Sequence, residues 1–242
     1  ENTTEDYFDQ KYAGWWNKIA IGDFNQDQKP DILIGNIGLN TQFGASKDQP
    51  VEMYAKDFDK NGSVDPILCY YIQGKSYPFV TRDELLNQLP YLKPNYTNYD
   101  SFSKVIMTEI FKNDELNDAQ HLEADHMSTT LFLSGKDGKY QMGNLPIQVQ
   151  YSSVNSIAIA DFNQDGHQDL LLTGNNSYAK LRLGKFDSNY GTLLQGNGKG
   201  GFTYIPQILS GLKIWGDVRS SLVFDKKVLF GVNGGKVLGL GW

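Results

Sequence analysis

Short apolar runs of four to six residues, separated by polar turns, recur along most of the chain, and one run-turn-run unit is written more than once. Residues 19–36 reappear as 157–175, and a shorter relative spans 54–68. In each copy a nine-residue polar loop lies between two runs bounded by Gly and Asn. Runs this short and β-branched predict strands rather than helices, so the loop is the turn of a β-hairpin. An eroded fourth copy at 216–224 keeps a leading acid, Asp217, and the apolar strand after it. Two more hairpins are expected at 131–142, around Asp137-Gly138, and at 192–204, where glycines permit positive φ. Closing strands are expected over 228–232 and 236–240.

The leading aspartates Asp23, Asp57, Asp161 and Asp217 are 34, 104 and 56 residues apart. The long gap contains the helical signals. Thr81 and Glu84 form a capping box ahead of Leu85, Leu86 and Leu89, and Pro90 stops that helix. A second helix is expected over 101–111, with Phe102, Val105, Ile106 and Ile110 on one face, and a third from Asp114 to about Ala124. Residues from about 78 to 126 therefore read as a helical insertion between β units, within a single domain spanning 1–242.

Composition narrows the class. The 242 residues carry a formal charge of −6, with 40% hydrophobic and 13% aromatic residues, the balance of an ordered globular chain. No apolar run reaches the length of a membrane helix, and the acidic start at Glu1 is unlike a signal peptide. Net acidity argues against nucleic acid as a partner, because phosphate binding needs basic patches. The single cysteine, Cys69, excludes an internal disulfide and lies in an apolar, aromatic run, so it reads as a buried thiol. His121, His126 and His167 form no metal-ligand spacing, and no GxSxG, P-loop or HExxH pattern is present.

The loops carry the candidate chemistry. All three fit D-x-[DN]-x-[DN]-x-x-x-D, from Asp23 to Asp31, Asp57 to Asp65 and Asp161 to Asp169. Calcium takes six to eight oxygens, and side chains at positions 1, 3 and 5 of a tight loop converge on one point. Position 7 would add a backbone carbonyl, from Lys29, Ser63 or His167, and the acid at position 9 would complete the shell. Position 6 needs a sharp turn, which Gly62 and Gly166 supply, while Gln28 stands there in the first loop. A non-glycine residue at positive φ costs roughly 1 kcal/mol, so the first site is expected to be the weakest. An EF-hand would need a twelve-residue loop ending in Glu between two helices, and neither is present. Asx turns without an ion remain the bland alternative. Nine clustered carboxylates repel one another at neutral pH, which three divalent ions would offset.

These residues resemble the FG-GAP/VCBS repeat of integrin α-chain β-propellers and exported bacterial proteins: an alanine before the loop, Phe at position 2, and an apolar strand after position 9. The resemblance is carried by residues 19–36, 54–71 and 157–175, and more loosely by 131–146 and 183–233. Residues 77–90 and 216–219 are similar to the C-terminal part of bacterial VCBS/ASPIC-type repeat proteins. The resemblance implies an all-β, calcium-binding propeller at an extracellular, periplasmic or cell-surface location. The ligands it implies are Asp23, Asn25, Asp27 and Asp31; Asp57, Asp59, Asn61 and Asp65; and Asp161, Asn163, Asp165 and Asp169, for up to three ions. With blades of about 50 residues, the chain supports about four to five blades, as part of a longer parent chain or as a small closed ring.

Three functional readings follow. The leading one is a non-enzymatic module presenting loops to an extracellular protein or glycan. The second is a polysaccharide lyase or hydrolase on a calcium-stabilised propeller, using Asp83 with Glu84, Asp125 with His126, or Arg219 with Tyr190. The third is a structural segment without a ligand of its own. Burial of Trp15, Trp16, Trp215 and Trp242 separates binding from packing.

Overall fold

A computed structural model describes residues 4–242. Among them fifteen strands form four antiparallel sheets, and helices are few and short, so the all-β expectation holds. In chain order the strands are β1 Lys18–Gly22, β2 Asp31–Gly35, β3 Val51–Lys56, β4 Asp65–Ile72, β5 Lys75–Pro78, β6 Gln120–Ala124, β7 Thr130–Ser134 and β8 Tyr140–Gly143. They continue as β9 Ser156–Ala160, β10 Asp169–Thr173, β11 Thr192–Gly196, β12 Phe202–Ile205, β13 Asp217–Phe224, β14 Lys227–Asn233 and β15 Leu238–Gly241.

The chain divides into two compact units. The larger comprises Trp15–Gln42, Met127–Trp242 and the described residues up to Lys11; the smaller comprises Tyr12–Gly14 and Phe43–His126. In the larger unit the sheet orders are β1-β2-β7-β8, β12-β11-β10-β9 and β13-β14-β15. β2 pairs with β7, placing Leu33 opposite Leu131, although all of Phe43–His126 lies between them in the chain. The sheets are joined by their faces. Leu33, Leu131, Val154, Leu170 and Leu194 form one apolar cluster, and Ala158, Leu171, Ile214, Val228 and Phe230 form another. Leu170 and Leu171 are consecutive in β10, so their side chains leave opposite faces and each enters a different cluster. Burying a side chain of this kind contributes about 1.5–3 kcal/mol.

The smaller unit is a sheet ordered β5-β4-β3-β6 with helical segments packed on it. Arg82–Gln88 starts at the expected capping box, with Glu84 N–H donating to the Thr81 hydroxyl and Thr81 N–H to the Glu84 carboxylate, and it gives way at Leu89 before Pro90. Leu85 and Leu89 are fully buried against Ile67 and Cys69.

Three local expectations are corrected. The second helix is broken into Tyr99–Ser103 and Met107–Ile110, because Ile106 is extended and caps the second piece. The third stops at Asn117, and Gln120–Ala124 is a strand, because the free edge of β3 offers it a complete ladder. Tertiary pairing overrides local propensity there. The leading Asp217 of the eroded copy is already the first residue of β13 rather than part of a loop. The hairpins at 131–142 and 192–204 and the two closing strands form where expected.

Candidate metal-binding loops

Each repeated loop connects two antiparallel strands, β1 to β2, β3 to β4 and β9 to β10. The three are held by one hydrogen-bond scheme. At position 1, Asp23 accepts from the N–H groups of Asp27 (3.0 Å) and Gln28 (2.9 Å). Asp57 accepts from Asn61 (2.9 Å) and Gly62 (2.8 Å), and Asp161 from Asp165 (3.0 Å) and Gly166 (2.8 Å). At position 3, Asn25, Asp59 and Asn163 each accept from the N–H of position 5. At position 5, Asp27, Asn61 and Asp165 accept from the N–H of Lys29, Ser63 and His167. The side chains of positions 1, 3 and 5 are thereby folded onto the backbone of their own turn, and each accepting oxygen retains a further lone pair.

The acid at position 9 has a second role that the sequence did not disclose. Asp31 accepts from Phe24 N–H (2.8 Å) and, across the sheet, from Ser134 N–H (2.8 Å). Asp169 repeats this with Phe162 N–H and Gly196 N–H, both at 2.9 Å. Asp65 takes Phe58 N–H and the Gln88 amide, both at 3.1 Å. All three carboxylates are buried, and each clamps its loop to the next structural element. Burial pushes the Asp169 carboxyl above the ordinary range, while the Asn163 amide and the His167 N–H pull the exposed Asp165 below it.

Phe at position 2 anchors each loop from beneath. Phe24 lies in the larger unit's first cluster, and Phe58 stacks on Phe111 at 4.2 Å in the smaller unit. Phe162 packs edge-on to Trp242 at 4.8 Å, and the Trp242 indole N–H donates to the Asp161 carbonyl. Position 6 has positive φ in every copy, +66° at Gln28, +90° at Gly62 and +88° at Gly166. Position 4 does too, at Gln26, Lys60 and Gln164, which no glycine signalled.

The donor set fits a hard cation. Only oxygens converge, and in the second loop carboxylate oxygens of Asp57, Asp59 and Asp65 lie within 4.8 Å of one another. The first and third loops also carry three aspartates each, with Asn at position 3 where the second loop has it at position 5. They contact each other in the larger unit, where Asp23 N–H donates to Gln168 Oε1 (3.1 Å) and the Gln26 amide to the Gly166 carbonyl (3.0 Å).

The residues considered for catalysis have other partners. Asp83 accepts from Arg82 (2.8 Å) and the Tyr99 hydroxyl (2.6 Å), and Glu84 caps its helix. Asp125 accepts from Ala13 N–H, and His126 lies edge-on to Tyr12. Arg219 holds the Asn175 carbonyl and Asp217, while Tyr190 packs on Trp215. Trp15 and Trp16 are half-buried and Trp242 packs under its loop, whereas Trp215 is 65% exposed. Cys69 is buried, and that burial raises its thiol to about 12, consistent with a structural role. A cleft of about 420 Å³ beside the second loop is lined by Phe58, Asp59, Lys60, Pro90, Tyr91 and Glu115. Among the described residues no helix is long and apolar enough to cross a membrane.

Comparison with protein-family models, characterised proteins and solved structures gave no match to this chain.

Proposed function

We propose that this chain is a calcium-stabilised, non-enzymatic module of the FG-GAP/VCBS propeller type, whose loops and clefts bind an extracellular protein or glycan. One observation supports the reading: three sequence-distant loops share one side-chain-to-backbone network, in which the oxygens of positions 1, 3 and 5 accept from the backbone N–H groups of their own turn. Antiparallel sheets joined face to face by apolar clusters in the larger unit support blade-like stacking. Trp215, exposed beside Tyr190, and Tyr91 in the cleft by the second loop offer aromatic surface of the kind that stacks on sugars.

Ion binding to the folded state alone stabilises it by about 2.7 kcal/mol per site at a hundredfold excess over Kd. For a chain of this size that is a rise in Tm of roughly 5–10 °C per occupied site. Differential scanning calorimetry with calcium and then with a chelator tests it. A Tm that responds to neither removes the ion from the proposal, and a glycan array read with and without Trp215→Ala tests the binding half separately.

A further inference from the structure

The smaller unit holds a second constellation on the face of its sheet, outside the loops. Glu52 and Glu123 are register partners on β3 and β6, and Tyr54 and His121 are register partners two residues along. Alternation therefore puts all four side chains on one face. The His121 ring meets both acids, with Nε2 at 3.2 Å from Glu52 Oε1 and Nδ1 at 3.9 Å from Glu123 Oε1. One ligand atom from each of Glu52, His121 and Glu123 falls within 4.8 Å of the other two.

We propose that Glu52, His121 and Glu123 bind a divalent transition metal of the zinc class.

Two independent features call for a cation at this place. Glu52 is only 5% exposed, and its partners are the neutral hydroxyls of Tyr54 and Ser76 together with His121, with no Lys or Arg among them. A buried carboxylate is retained when it is paired or bound to metal. Moreover, like charges directly opposite on adjacent strands are destabilising, yet Glu123 faces Glu52 across the ladder.

The donor set selects the metal. Imidazole with carboxylates suits zinc and its neighbours, whereas the all-oxygen loops suit calcium. The surroundings hold the ligands in place: the Tyr54 ring stacks on His121 at 4.4 Å, and the Ser76 and Tyr54 hydroxyls donate to Glu52. Outer groups that orient ligands in this way are typical of metal sites. The smallest rearrangement needed is a rotation of Glu123, which is half-exposed and free to close on the ion.

The test is isothermal titration of the full chain with zinc chloride in excess calcium, which suppresses zinc binding at the acidic loops. One zinc per chain is expected. His121→Gln and Glu123→Gln should each weaken it by more than the roughly 10–100-fold lost when a group that merely orients a ligand is removed. Both positions are on an edge strand and partly exposed, so circular dichroism should show the fold intact in each variant. Cobalt substitution adds a second readout, a visible absorption band present in the parent chain and lost in His121→Gln. Absence of zinc binding overturns the proposal and leaves His121 as the counter-ion of Glu52. Zinc binding unchanged in His121→Gln overturns it equally, by placing the ion elsewhere.

Discussion

At the scale of single residues, strain in the loops is the most directly measurable feature. Gln28 has φ of +66° where the other copies have glycine. Replacing it should relieve about 1 kcal/mol of strain, partly offset by the added freedom of glycine in the unfolded chain. Gln28→Gly is therefore expected to raise stability by no more than about 0.5 kcal/mol in urea unfolding, with a larger gain in calcium affinity at that loop than at the others. His126 gives the clearest pH effect. Burial lowers its pKa from the ordinary 6.5, against an opposing pull from Asp125. The unfolded chain therefore takes up this proton first as pH falls, and stability present above about 6.5 declines as the pH drops through that value toward the folded-state pKa. Denaturation midpoints between pH 7.5 and 5 should fall less steeply for His126→Gln than for the parent chain.

At the scale of elements, the buried acids at position 9 join each hairpin to its neighbour. Asp169 satisfies Phe162 N–H within its own loop and Gly196 N–H in β11. Asp169→Ala leaves both donors without their acceptor in a buried setting and should cost about 2–5 kcal/mol even without calcium. Asp165→Ala, at an exposed position, should cost less than about 1 kcal/mol without calcium and become damaging only when the ion is present. Chemical denaturation in chelator and in calcium separates the two roles. The elements themselves were largely legible: the hairpins around the three loops, the capping box at Thr81 and the closing strands all follow from local pattern. β6 was not, because Leu116 and Ala119 continue a helical rhythm that ends only where the edge of β3 captures the chain.

At the scale of the molecule, the long spacing between the second and third acidic loops has a topological explanation. Phe43–His126 forms its own compact unit with its own acidic loop, and it interrupts one sheet between β2 and β7. The helical segments within it cover a sheet that includes one of the three repeats, rather than standing apart from the β units. Leu33, Ile67 and Leu171 hold equivalent places two residues after each closing acid, and all three are buried. Each hairpin thus supplies the same anchor to whichever cluster it joins.

The sequence by itself determined the loops: their acids, the Phe beneath each and the strands on either side. A nine-residue turn satisfies its own N–H groups from its own side chains, so its geometry is written locally. Only the tertiary structure decided which distant strand completes each sheet, that Asp31 and Asp169 reach across to Ser134 and Gly196, and that Glu52 meets His121. Those outcomes depend on register between strands far apart in the chain. Spacing along the chain carries no record of it, because any free edge of suitable length can accept a strand.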